Sequence, residues 1–152
     1  MSSLRLPYYT LSHAAYRALA AAETAVEASP LGKQLVRLVF LRVSQINGCA
    51  FCVDKHARDL VKDGEDFQRI NSLATWRETG FYTARERAAL AWAEAATRLE
   101  HGEVADSVFL PLKEHFTEQE ISDLGFATAV MNAWNRMGIG FRQPVARAAF
   151  PD

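Results

Sequence analysis

The sequence lacks most of what builds sheets, membrane spans or charged binding surfaces. No run keeps up the apolar–polar alternation of a strand, and none approaches the roughly 20 apolar residues of a bilayer-spanning helix. Charge of one sign is missing as well: 17 Lys and Arg stand against 18 Asp and Glu, a formal net charge of −1. Nothing in that balance would gather nucleic acid or an anionic membrane. Glycine-rich phosphate loops and nucleotide fingerprints are absent. The first residues include Arg5, His13 and Arg17 and hold no apolar core of signal-peptide length. These absences lead us to expect a cytoplasmic protein with neither nucleic acid nor membrane as partner. Cysteine is scarcest of all, with two in the chain. A reducing cytoplasm disfavours structural disulfides, so the pair is expected to do chemistry.

What remains is helical punctuation. The chain has 152 residues, 49% of them hydrophobic, enough for one domain with a sizeable core. Ser12 is placed to cap an alanine-rich helix to about residue 28. Ser29-Pro30 reads as N-cap and N1 of the next helix, whose Leu31, Leu35, Leu38, Val39 and Ile46 make one stripe. Val36, Phe40 and Val43 add apolar surface on its other sides, so this helix is expected to be central. Asn47-Gly48 breaks it, and a new helix covers about 49–61 until Asp63-Gly64. A shorter helix is expected over 66–76. Thr83 with Glu86, and Thr117 with Glu120, match the capping box; they open helices reaching about Arg98 and Met137. Between them 106–115 is read as helical, interrupted or started at Pro111. No linker, repeat or low-complexity run appears. The expectation is an all-α, single-domain bundle of about six to seven helices over 1–152, with a motif-bearing core at about 30–142 and an N-terminal arm and helix at 1–29. Alanine-rich faces make homo-oligomers plausible, and Tyr8 and Tyr9 are expected to form an arm reaching another subunit.

Chemistry concentrates in Gly48-Cys49-Ala50-Phe51-Cys52-Val53-Asp54-Lys55-His56. On a helix, Cys49, Cys52, His56 and Leu60 fall on one stripe. His56 is one turn from Cys52, close enough to take its proton, and about 10 Å along the axis from Cys49. Cys52 is therefore assigned as nucleophile and Cys49 as its resolving partner, expected nearer the solvent. Such a dithiol can reduce a peroxide: Cys52 becomes a sulfenic acid, Cys49 condenses with it, and an external dithiol or disulfide reductant restores the pair. Protonated His56 is the nearest donor to the leaving oxygen. A metal is not expected, because two sulfurs and one imidazole fall short of four ligands and His13, His101 and His115 lack motif spacing. No other cofactor is implied. Asn132 and Asn135 need hydrogen-bond partners, expected to be backbone groups. Trp76, Trp92 and Trp134 are read as fillers of core or subunit contacts. Ser44 and Gln45, just ahead of the motif, are placed to bond near the thiols or simply to pack.

At this motif the chain resembles the alkylhydroperoxidase D-like family, grouped with the carboxymuconolactone decarboxylase superfamily. The likeness rests on residues 41–52 (LRVSQINGCAFC) with Asp54 and His56, on 85–94 (RERAALAWAE) and on 132–136 (NAWNR). It implies an all-helical fold, thiol peroxidase activity and homo-oligomers, often trimers or hexamers built from dimers. It also implies Cys52 as the peroxidatic cysteine, Cys49 as the resolving one and His56 in the proton relay. Decarboxylases proper of the superfamily lack the cysteine pair, so decarboxylation is not implied. Two positions depart from the pattern. The relay glutamate twelve residues before the first cysteine is Arg37 here, and a histidine sometimes found before the second is Phe51. Arg37 cannot act as a base at neutral pH; either Glu86, Glu23, Glu27 or a carboxylate of another subunit replaces the acid, or Arg37 favours the thiolate electrostatically while degrading proton delivery. Two further readings remain beside the peroxidase: a non-catalytic redox-responsive oligomer and a general disulfide oxidoreductase.

Overall fold

A computed structural model describes residues 3–149, and every regular element among them is helical. The long helices are α2 (His13–Glu27), α3 (Lys33–Asn47), α4 (Ala50–Lys62), α6 (Ala84–Arg98) and α9 (Glu118–Gly140). A two-turn helix α5 (Phe67–Ser72) continues into a kinked 3₁₀ stretch, Leu73–Glu78. Single turns α1 (Tyr8–Leu11), α7 (Asp106–Phe109) and α8 (Leu112–His115) complete the nine described α-helices, of which six are longer than one turn, as expected.

Local chemistry explains most boundaries. Both capping boxes form, with the Thr83 and Thr117 hydroxyls accepting from the Glu86 and Glu120 amides and the two carboxylates reaching back. Pro111 separates α7 from α8 as expected. Two starts differ from expectation. Ser12 makes no side-chain cap, because a one-turn helix already precedes it. Ser29-Pro30 does not open α3: the chain turns there, with the Gly32 amide on the Ser29 carbonyl, and Gly32 at φ +86° is the residue before the helix. Such a φ suits glycine and strains other residues, so the helix begins three positions later.

Helix α3 is the axis of the molecule. Leu35, Val36, Leu38, Val39, Phe40, Leu41, Arg42, Val43 and Ser44 are all buried. One side, through Val36, Val39, Phe40 and Val43, packs with Ala89 and Ala93 of α6, Leu112 of α8 and Leu124, Ala127 and Met131 of α9. The opposite side, through Leu38 and Leu41, packs with Leu60 of α4, Ile70, Leu73, Trp76 and Leu90. An all-round buried helix must also satisfy its polar residues. Arg42 does so with Glu94, which is 2% exposed and lies 2.7 Å away. Glu94 also accepts from Trp76 Nε1 at 2.9 Å and from Arg77 at 2.5 Å. Burial alone would raise its carboxyl, but these donors hold it below the ordinary value, so it stays charged. Removing it leaves Arg42 buried without its counter-charge. Glu94→Ala is therefore expected to cost about 3–5 kcal/mol, read as a lower midpoint in urea unfolding.

Candidate functional site

The site is made where α3 hands over to α4. Gly48 takes the left-handed conformation (φ +71°) that ends α3, and its amide bonds back to Gln45 and Ser44. Cys49 follows as the N-cap of α4, with its Sγ accepting from the Cys52 amide at 3.3 Å. The two cysteines are joined as a disulfide with Cα atoms 5.3 Å apart. Along α4 the buried residues are Cys52, His56, Ala57 and Leu60, so the expected stripe exists.

Depth reverses one expectation. Cys49 is 1% exposed and Cys52 5%, and it is Cys52 that lines the adjoining cavity. Cys49 was expected nearer the solvent; it is instead tucked under α9. Gly138 explains how, because a Cβ there would sit 3.1 Å from Cys49 Sγ and 3.6 Å from Cys52 Sγ. The bare backbone at Gly138 spares Cys49 Sγ a tight contact, while the approach to Cys52 Sγ is an ordinary one. Sequence reasoning missed Gly138, although a glycine inside a helical pattern is a signal of close approach.

The cavity holds about 200 Å³ and is walled by Tyr8, Tyr9, Tyr16, Phe51 and Trp134, with Glu23, Lys55 and His56 as its charged and titratable members. Phe51 is part of its wall. Trp134 joins it rather than serving only the core. Tyr8 and Tyr9 pack on their own chain. Tyr8 stacks on Phe141 (centroids 5.1 Å) and points its hydroxyl at Gln143, while Arg5 bonds the Gly140 and Phe141 carbonyls.

The sequence-predicted residues separate into those at the cavity and those supporting it. Cys52, His56 and Glu23 meet there. Arg37 does not: it pairs with Glu27 at 2.8 Å and Asp63 at 2.6 Å, tying α2, α3 and α4 together. Glu27 is thereby occupied. Glu86 is occupied too, by its capping box and by Arg69 at 2.6 Å. Ser44 bonds the Phe40 carbonyl rather than a thiol and accepts from Asn135 at 3.0 Å. Gln45 accepts from Arg42. Asn135 and Asn132 both accept from Asn47, so their partners are mainly side chains, where backbone groups were expected. This network holds α9 against the end of α3 and so fixes Gly138 over the sulfurs.

Electrostatics sets the protonation of His56. Burial, helped by the positive charges of Lys55 and Arg37, lowers the His56 imidazole to about 3 against the pull of Asp59. His56 is therefore neutral beside the disulfide. Such an imidazole, once charged, gives its proton up readily. Its Nδ1 is buried without a hydrogen-bond partner, with Asp59 Oδ2 at 3.9 Å. Burial raises the Glu23 carboxyl, with Lys55 opposing from 3.7 Å. Among the described residues no group of three or more His, Cys, Asp and Glu is arranged to hold a metal ion, and no helix is long and apolar enough to cross a membrane.

Comparison with known proteins gives one consistent picture. The sequence model of the Carboxymuconolactone decarboxylase family matches residues 12–95. The uncharacterised protein YdfG of Bacillus subtilis is 36% identical over 137 residues, covering 90% of this chain and 93% of that one. The crystal structure of ATU0492 from Agrobacterium tumefaciens, a protein of unknown function provisionally tied to AhpD antioxidant defence, superposes with a TM-score of 0.89. It is 40% identical and covers 95% of this chain and 100% of that one. A peroxidase-related protein with an alkylhydroperoxidase AhpD core from Ralstonia eutropha is 26% identical (TM-score 0.77; 89% and 73% covered).

Two outcomes follow from this geometry. Between pH 6.5 and about 3 the unfolded chain holds a proton on His56 that the oxidised fold excludes, so stability falls as pH drops through that window. In urea unfolding of the oxidised protein, His56→Asn should flatten that decline by up to about 1.4 kcal/mol per pH unit. Gly138→Ala should crowd the sulfurs and slow alkylation of Cys52 in the reduced protein. Gly140→Ala, with open space around it, should leave the rate unchanged.

Proposed function

Because this chain belongs to the carboxymuconolactone decarboxylase family as an AhpD-like member, we propose that it is a thiol-dependent peroxidase turning over through Cys49 and Cys52. The observation that carries this reading is the disulfide whose Cys52 half faces a cavity shared with His56.

In the reduced state the Cys52 thiol passes its proton to neutral His56 and attacks the terminal oxygen of a hydroperoxide. The S–O bond forms as the O–O bond breaks. The departing alkoxide or hydroxide takes the proton back from His56 and leaves as alcohol or water. Cys52 is then a sulfenic acid. Cys49, already against it beneath α9, attacks that sulfur, so the disulfide closes and water leaves. An external dithiol restores the pair by exchange and is itself oxidised to a disulfide. The low affinity of His56 for protons suits the second half of this exchange, since a weakly basic imidazole is a strong acid once charged.

The five aromatic rings around the cavity favour organic peroxides over hydrogen peroxide, because an alkyl or aryl group would bury apolar surface there. Of Glu86, Glu23 and Glu27, Glu23 is the one that lines the cavity, which supports it as the nearby acid. The same reading has residues 1–152 acting as one domain, in the cytoplasm, in an assembly of several copies. Exposed Phe126, Leu110 and Ile139 offer apolar surface for those contacts, and sedimentation velocity would show a monomer if the assembly is wrong.

Cys52→Ser should abolish consumption of cumene hydroperoxide with a dithiol reductant. Cys49→Ser should leave one round of reduction and a sulfenic acid that dimedone traps. Full turnover by Cys52→Ser would remove the assignment.

A further inference from the structure

A Cys–His pair in a buried setting works only if the imidazole is held in the right tautomer and its charged form has a counter-ion. Here Nδ1 of His56 is sealed from solvent and has no hydrogen-bond partner. Buried polar groups are ordinarily paired. One acceptor is close: Asp59 Oδ2, 3.9 Å from Nδ1 and one turn further along α4. Cys52, His56 and Asp59 stand at i, i+4 and i+7, so all three share one face of a single helix.

We propose that Asp59 is the positioning carboxylate of a Cys52–His56–Asp59 relay, closing on Nδ1 of His56 in the reduced protein. The proposal rests on the redox reading of Cys52 given above. With Nδ1–H donated to Asp59, Nε2 is left to the cavity. The Cys52 proton passes to Nε2, and Asp59 stays ionised throughout. The oxidised structure keeps the contact long because Lys55 occupies the carboxylate, with its Nζ 2.9 Å from Oδ2. Lys55 has a second seat within reach, Glu23 on α2, 3.7 Å away. A shift of the ammonium toward Glu23 frees Oδ2 for the imidazole, while Arg37 steadies the turn from α3 through the Asp59 carbonyl at 3.3 Å. Asp59, Lys55, Arg37 and Glu23 are the charged groups facing His56 from its own and the packed helices. Asp59 is ionised: burial would raise it, but Lys55 and Arg37 hold it below its ordinary value.

The test uses the full-length reduced protein without peroxide, so it is independent of turnover. Mass spectrometry follows iodoacetamide labelling of Cys52 against pH, and long-range ¹H–¹⁵N spectra report the His56 tautomer. The sign is diagnostic. Removing a carboxylate that acted only through space would lower the Cys52 pKa, since an anion disfavours a thiolate. A positioning role makes Asp59→Asn raise it by about one unit, slowing labelling near neutral pH about tenfold, with loss of the Nδ1–H tautomer. Asp59→Glu should recover part of both. An unchanged or lowered Cys52 pKa in Asp59→Asn overturns the proposal. Should that variant not fold, an Nε2–H tautomer in the reduced wild type overturns it alone. A chain with the expected tautomer and thiol shift but no peroxide turnover would instead defeat the peroxidase reading and leave the relay standing.

Discussion

Burying α3 on every side is the constraint on which the rest depends. A helix without a solvated face cannot carry an unmatched polar group, and α3 carries two. Arg42 draws in Glu94, and Glu94 draws in Trp76 and Arg77, which fixes α6 and the 3₁₀ stretch around it. Ser44 accepts from Asn135, and Asn47 at the helix end bonds Asn132 and Asn135, which fixes α9. Two polar debts of one helix thereby set the positions of the two long helices that flank it.

The redox pair sits at the end of that arrangement. Gly48 turns the chain, Cys49 caps α4, and the Asn135 network brings Gly138 over both sulfurs. The geometry of the cysteine pair and the structural satisfaction of α3 are therefore the same set of contacts. The acid–base part follows a different logic. His56 is kept neutral by burial and by Lys55, while Asp59 and Glu23 share that ammonium between them. Deep burial of the imidazole makes its protonation costly, which is why the disposition of nearby carboxylates matters more here than in an open cleft.

Much of this was legible in the sequence wherever the signal was local. Both capping boxes, the break at Asn47-Gly48 and the Cys52–His56 stripe depend on residues within one or two turns, and all are present. The start of α3 misled because Ser29-Pro30 imitates a helix opening, whereas the left-handed Gly32 decides the entry. Cys49 was expected nearer the solvent, yet it lies under Gly138, which is distant in sequence. Tyr16, Trp134 and Glu23 likewise reach the cavity through packing of α2 against α9, which no local pattern encodes. Arg37 stood at a meaningful position by resemblance, but its partners Glu27 and Asp63 gave it an architectural duty.

The covering of the sulfurs by α9 also has a consequence in time. A chain made from its N-terminus produces α3, the Gly48 turn and both cysteines well before residues 134–143 exist. At about 5–20 residues per second, the roughly 80 residues between them take some 4–16 s to add. Through that interval the nascent dithiol has neither Gly138 above it nor the Phe141–Tyr8 stack at its rim. The cover over the sulfurs is thus among the last parts of the fold to be made, long after the cysteines it covers.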